Sequence, residues 1–420
     1  MTSKVLSIGL SFCCLSAFSQ SGPVGIFDRQ QDIGYVKHAG SATYDEATQT
    51  YTIKGSGANI WFNEDQFHYT YKRMAGDFLL TADFAFVGDN SGSVGHRKTG
   101  WMIRESADAD AASINATSHI DGLTVLQWRE LKGAFMRDPK DEIFFPKKGL
   151  QTIQLERKGK KIIMRMANPG EPLQTVGEHI MPDMPDSVLA GLFICSHDSN
   201  SLAVARVWNV RIDRPIDNAY QPNPQLVRPP SNDVLGSRLE IMDVFDGKRK
   251  VIYESRGRFE APGWMPDGKK IWFHDHGLLY SVSVEGGTPE KISAGKPNTD
   301  GPQRSPDGKY IYYNANPTGT MQIWRMKRDG SGKEQITFDQ YHNWFPHISP
   351  DGKWIVFISF QPDINPDEHP WYQRVMLRLM PAAGGAPRVI AYLYGGQGTL
   401  NAPSWSPDGK RITFVSNSEK

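Results

Sequence analysis

Two histidines, His342 and His347, stand five residues apart in "YHNWFPHIS". Imidazoles titrate near neutral pH and can move a proton when a neighbour tunes them, which makes this pair the candidate for acid or base chemistry. His347 belongs to a wider pattern. Four short segments share a proline, and aligning on it places Glu260, Asp300, Trp344 and Asn401 two residues before it and Gly263, Gln303, His347 and Ser404 just after it. Glu260, Asp300 and Asn401 supply the hard oxygen atoms that a cation such as calcium prefers, although three side chains fall short of its usual coordination number. A Glu260/Asp300 carboxylate pair at a suitable separation would serve glycoside chemistry instead. The Gly-rich "YGGQGTLN" adds Gln397 nearby; it lacks the Gly-Lys-Ser/Thr ending of a phosphate loop. "HDH", starting at His274, reads as turn chemistry, because no spaced Cys/His set accompanies it.

A second group lies earlier in the chain. Alternation puts Arg104 with Met102 on one face of the "GWMIRES" strand, and Gln127 and Arg129 with Val125 on one face of the "TVLQWRE" strand, so that Arg104, Gln127 and Arg129 could share one sheet face. Together they could line a concave surface. Trp61, in "ANIWFNEDQFHY", would add an aromatic platform for the C–H face of a sugar, with planar polar partners for its hydroxyls. The competing reading makes Trp61 a core residue and the arginines solvated.

The elements that must position these residues are strands. Ser-Pro-Asp-Gly-Lys or a close variant recurs with its aspartate at Asp267, Asp307, Asp351 and Asp408, 40, 44 and 57 residues apart. Proline presets the first corner of a turn, aspartate bonds its own following backbone, and glycine accepts positive φ. Alternating runs such as "KYIYYN", "KWIVFIS" and "KRITFVS" follow each turn. A period near 40–45 residues with several strands per unit is the signature of propeller blades. Residues 238–255 supply two strands with no turn motif before them, and 402–416 supply two with nothing after, so together they make one blade. Four blades are expected, around a narrow channel, with the ring either closed within one chain or completed by another chain. The longest spacing reflects an insertion at "QPDINPDEHPWYQ".

Those repeats, in "DGPQRSPDGKYIYYNANPTGTMQIWRMKRDGSGKEQIT", "NWFPHISPDGKWIVF", "GGQGTLNAPSWSPDGKRITFVS" and "EAPGWMPDGKKIWF", resemble the TolB-like β-propeller family with its WD40-like repeats. The resemblance implies an exported propeller and carries over no catalytic set. Such propellers usually have six blades, and the two that would fall between the "EAPGWMPDGKK" and "DGPQRSPDGKY" repeats are missing here. The first half, with "GDFLLTADFAF", "KTGWMIRES", "GLTVLQWR", "LQTIQLERKGKKI", "AGLFICSHD" and "VWNVRI", resembles the concanavalin A-like jelly rolls of the laminin-G-like and glucanase-like branch. Those modules handle glycans or act as scaffolds.

Composition agrees with an all-β chain of two modules. The 420 residues include 40 Gly and 28 Pro, and the net charge of +1 gives no electrostatic footprint for nucleic acid. Residues 1–19 read as a signal peptide, with Lys4 before an apolar run too short to span a bilayer comfortably, which places the mature chain in the periplasm or outside the cell with no membrane span. Residues 22–215 form the sandwich, 216–233 a Pro-rich linker and 234–420 the propeller. After cleavage only Cys195 would remain, a small core residue. "NAT" at Asn115 matches a glycosylation pattern, a weak signal at that length. Three functions stay open: a binding protein for a glycan or cell-envelope component that also takes a ligand or protein at the propeller, a carbohydrate-active lyase or hydrolase at the propeller mouth, and an envelope scaffold with a protein partner.

Overall fold

The computed structural model describes residues 22–88, 95–136, 142–145, 147, 149, 151–215, 236–256, 259–275, 278–292, 303–327, 329–401 and 403–418. The leader call at 1–19, the linker call at 216–233 and Asp300 lie outside them.

The N-terminal half folds as β1 (Arg29–Ile33), β2 (Ser41–Asp45), β3 (Thr50–Gly57), β4 (Phe67–Met74), β5 (Phe78–Phe86), β6 (Lys98–Arg104), β7 (Ser113–His119), β8 (Thr124–Arg129), β9 (Glu142–Phe145), β10 (Thr152–Lys158), β11 (Lys161–Ala167), β12 (Gln174–Ile180), β13 (Val188–Cys195) and β14 (Asp198–Asp213). They make two seven-stranded antiparallel sheets, ordered β1-β4-β13-β6-β7-β8-β9 and β12-β11-β10-β5-β14-β3-β2. The closing segment "ARVWNVRI" pairs with β3 on one side and β5 on the other, as the sequence suggests. The two-residue period decides the core. Trp101, Ile103, Ile114, Leu126 and Leu192 from the first sheet meet Ile53, Leu80, Phe84, Leu155 and Val207 from the second. Cys195 is buried on the other face of the first sheet, with Tyr69, Met102 and Phe193. Asn115 also lies within that sheet with no exposed surface, so the glycosylation pattern is inaccessible in the folded chain.

The C-terminal half contains β15 (Gly236–Asp243), β16 (Arg249–Arg256), β17 (Phe259–Trp264), β18 (Lys270–Asp275), β19 (Leu278–Ser283), β20 (Glu290–Ile292), β21 (Gln303–Arg304), β22 (Tyr310–Ala315), β23 (Gln322–Lys327), β24 (Glu334–Gln335), β25 (His342–Ile348), β26 (Trp354–Phe360), β27 (Gln373–Pro381), β28 (Arg388–Gly395) and β29 (Arg411–Ser416). Three blades are four-stranded meanders: β17–β20, β21–β24 and β25–β28. They are called here the second, third and fourth. In the closing blade β29 pairs with β15, β15 with β16, and Trp405 bridges to Ile412 as the innermost element. Both ends of the half therefore share one blade.

The repeated turn has the chemistry its residues predict. At Gly308 φ is +70°, the Gly308 N–H donates to the Ser305 carbonyl at 2.9 Å, and the Lys309 N–H donates to the Asp307 carboxylate at 3.1 Å. Gly268, Gly352 and Gly409 repeat this conformation.

Neighbouring blades share cores. One core joins the second blade to the closing blade through Ile271, Phe273, Leu239 and Val415; another joins the closing blade to the fourth through Ile412, Phe414, Val356 and Ile358; a third joins the fourth to the third through Ile355, Phe357, Tyr312 and Ile323. Among the described residues no core joins the third blade to the second; residues 293–302, which connect those two blades, lie outside them.

The sandwich rests on the closing and fourth blades. Arg211, on β14, makes a two-pronged ion pair with Glu240, on β15, at 2.8 and 2.5 Å, with both side chains almost fully buried. Gln49 exchanges hydrogen bonds with the Val251 backbone, Asp213 bridges to Ser418, and Tyr392 donates to the Glu171 carbonyl. A cleft of about 1170 Å³ remains beside these contacts, lined by Tyr44, Trp208, Arg238, Tyr253 and Glu254 among others.

Candidate functional site

The inner strands of the propeller carry an irregularity at the shared proline. β17 shifts register between Glu260 and Gly263, and β25 shifts between Trp344 and His347. In each bulge the residue before proline adopts a left-handed backbone: Ala261 at φ +55° and Phe345 at φ +54°. Proline lacks a donor and is tolerated at such a bulge, while a non-glycine residue at positive φ is costly and must be held by its surroundings. The Ala261 N–H donates to the Gly398 carbonyl at 2.9 Å, and the Glu260 side chain lies against Gly398. Next to it the Gln397 N–H donates to Pro370, and the neighbouring His369 ring packs edge-on to Trp344 at 4.5 Å and Phe345 at 5.1 Å. The fold thus links Glu260, Gln397 and Trp344 through one set of loops. His369 is the residue that alignment missed; it comes from the insertion in the longest repeat.

Further along the inner strands, the residues that follow the prolines meet. The Ile348 N–H donates to the Gln303 side-chain carbonyl at 3.3 Å, which turns the Gln303 amide N–H toward His347 Nδ1 at 3.1 Å. Trp405 Nε1 donates to the His347 carbonyl at 2.9 Å. His347 therefore touches both neighbouring inner elements. Burial pushes its pKa down to about 4, so the ring is neutral at pH 7. With Nδ1 accepting, the proton sits on Nε2, which is buried and has no partner among the described residues. His342 repeats the arrangement, with Nδ1 accepting from the Met321 N–H at 3.4 Å and Nε2 buried and unpartnered.

Other polar atoms along this lining share that state. Both amide atoms of Asn401, the Ser404 hydroxyl, Trp344 Nε1 and the Gln397 carbonyl are buried without a hydrogen-bond partner among the described residues. Asn401 is only 1% exposed. Unpartnered buried polar atoms are rare in folded proteins, and a run of them along one lining calls for an explanation. Among the described residues no group of three His, Cys, Asp or Glu side chains stands close enough to hold a metal ion; of the calcium candidates Glu260, Asp300 and Asn401, Asp300 lies outside the described residues.

In the sandwich the structure brings the expected residues together for a different purpose. Arg104 Nη1 binds Asp65 at 2.5 Å, and Arg129 binds the same carboxylate at 2.6 and 2.8 Å; none of the three side chains has exposed surface. Their remaining N–H groups donate to backbone carbonyls of Asp108, Ala111, Ala134 and Phe62. Two guanidinium groups on one buried carboxylate pin three loops onto the sheet. Gln127 is also fully buried and donates to Glu142 at 3.1 Å. The concave ligand surface expected from Arg104, Gln127 and Arg129 is therefore corrected to a closed structural network. Alternation placed them on one face, but the chain's own loops cover that face. Trp61 stays partly accessible, with the Lys98 ammonium 4.9 Å from its ring centre. Lys98 itself is buried, donates to Asn59 and Ile60, and is pushed down to about 8 by desolvation.

The fold and its repeats define a class: a β-sandwich carrying a propeller of the TolB type. Residues 231–366, within the C-terminal module, match the family model for the TolB beta propeller domain. An uncharacterized protein of Agrobacterium fabrum is 43% identical over 157 residues, 36% of this chain, and the match spans about half (53%) of that relative's length. Among solved structures, a putative TolB from Agrobacterium tumefaciens is 29% identical, with a TM-score of 0.39, over 44% of this chain and 99% of that one. The alginate lyase A1-II' is 10% identical, with a TM-score of 0.30, over 43% of this chain and 85% of that one.

Proposed function

We propose that the protein is an exported binding protein whose propeller mouth takes an uncharged, hydrogen-bonding ligand, a saccharide or peptide-like group, while the sandwich forms a rigid carrier fixed to the closing and fourth blades. The observation behind this reading is the lining formed by His347, His342, Asn401, Ser404, Trp344 and Gln397, where buried donors and acceptors lack partners. A ligand that supplies those partners would remove a desolvation cost already present in the free protein. Neutral groups suit a neutral ligand. Binding is favoured over hydrolysis or elimination because a histidine whose Nε2 already carries the proton, with a pKa near 4, is a poor base at neutral pH. Export is supported by the leader pattern in residues 1–19.

Native mass spectrometry of the mature chain with a pool of neutral oligosaccharides and a pool of short peptides tests the reading. The expected result is a bound, chemically unaltered species that is lost in both His347→Phe and Asn401→Leu. A ligand retained by both variants removes the propeller mouth as the site, and a converted ligand replaces binding with catalysis.

A further inference from the structure

A row of polar side chains on the outer face of the second sheet is withdrawn from water. Thr81, Gln154, Arg165 and Thr175 stand opposite one another on β5, β10, β11 and β12. Their neighbours along the strands, Leu80, Ile153, Leu155, Met164 and Met166, fill the sandwich core, so alternation points the row the other way. There the fourth blade lies over it: Gln154 is only 3% exposed and Arg165 only 8%. Gln154 donates to Thr81 Oγ1 at 3.0 Å and accepts from Arg165 Nη1 at 3.1 Å, and the same Nη1 binds Glu156 at 2.7 Å. Arg165 Nε and Nη2 are left with no partner among the described residues. The strand beside them is irregular, since β12 bulges at Val176, between the partners of Met164 and Arg165.

Across the junction the fourth blade contributes a second guanidinium. Arg374, on β27, is half-buried, and among the described residues none bonds its side chain. Burial first, and the Arg165 charge next, hold its pKa below the ordinary arginine value; Glu156 and the exposed Asp363 offset them only in part. Arg165 and Arg374 line one cavity of about 170 Å³, and Gln154, Thr175 and Gln361 complete the polar part of its wall. At roughly 30 Å³ per molecule of liquid water, that space equals about six waters, below the size of a drug-like ligand site. Glu156 is the one carboxylate bonded to this pair among the described residues, so N–H donors and positive charge stand in excess.

We propose that this cavity binds a small oxyanion, a carboxylate or phosphate group, held by Arg374 of the propeller and Arg165 of the sandwich. Planar guanidinium forks match the oxygens of such groups two at a time, and the Thr175 hydroxyl and Gln361 amide add neutral donors. The site is separate from the propeller mouth and takes the opposite class of ligand, one that carries negative charge. It also has one wall in each module. A ligand that needs both walls stabilises the docked arrangement by mass action, so the anion would act as a clamp between sandwich and propeller.

Isothermal titration calorimetry of the mature chain with inorganic phosphate and, separately, with acetate, in chloride buffer of matched ionic strength, tests the proposal. At least one of the two should bind at one site per chain, and the tighter of them identifies the oxyanion. Arg374→Gln should weaken that binding about tenfold or more, because charge-assisted hydrogen bonds are lost; Arg374→Lys, which keeps the charge without the fork, should fall between. In thermal melts without the anion, Arg374→Gln should unfold no earlier than wild type, and it should lack the rise in melting temperature that the anion gives wild type. Four results would overturn the proposal: no saturable binding of either anion, equal affinity in wild type and Arg374→Gln, an earlier melt of Arg374→Gln in the absence of anion, or an equal rise in melting temperature for both proteins, as general exclusion of salt from the surface produces.

Discussion

Removing the Asp65 carboxylate offers the sharpest test of the corrected reading of the sandwich. Asp65 is fully buried and is the shared partner of Arg104 and Arg129. Asp65→Ala would leave two guanidinium groups in the interior, compensated only by backbone carbonyls. Breaking a buried ion pair by deleting one partner costs about 3–5 kcal/mol, because an uncompensated charge remains. For a module of this size each kcal/mol moves the melting temperature by about 2–4 °C, so the sandwich transition should fall by roughly 10 °C. Differential scanning calorimetry is the suitable assay, since two modules need not melt as one unit and a single two-state fit would hide the effect. Asp65→Asn should cost less, because an amide still accepts hydrogen bonds. A drop under ~1 kcal/mol in Asp65→Ala would mean that water reaches the arginines and the network is open, restoring them as ligand-binding groups.

The propeller lining predicts an opposite effect: Asn401→Leu removes two unpartnered buried atoms and should raise propeller stability by about 1–3 kcal/mol in thermal melts while weakening ligand binding; a loss of stability would show that Asn401 is satisfied in the free protein. At the module interface, burial pushes the Asp213 carboxyl up to about 6, above its ordinary 3.8. A raised pKa contributes stability that is fully present below about 3.8 and is lost as pH rises through about 6, so urea midpoints should climb by the equivalent of about 2 kcal/mol from pH 7 to pH 4, and Asp213→Asn should flatten that slope. Asp307 runs the other way. Its hydrogen bonds from Ser305 and Lys309 hold the carboxyl down to about 2, so its contribution is present above its ordinary value and is lost only as pH falls toward 2, which a carboxyl NMR titration would read directly. Gly352→Ala and Gly308→Ala should each cost on the order of 1 kcal/mol for the left-handed backbone, because the added methyl meets only an ordinary contact with Pro306 at Gly352 and open space at Gly308; a thermal melt showing no loss at either would refute the strained conformation.

The parts of this fold that were legible in the sequence are those fixed by local chemistry. The Ser-Pro-Asp-Gly-Lys turn specifies its own corner, its own hydrogen bond and its own positive φ, so four turns could be placed from residue types alone. The shared closing blade followed from the two unmatched chain ends, and the shared proline placed His347, Gln303 and Ser404 at equivalent blade positions. Alternation failed on absolute direction. It put Arg104 and Arg129 on one face, as the structure does, but a two-residue period does not say whether that face meets solvent or the chain's own loops, and Asp65 lies too far away in sequence to announce itself as their counter-ion.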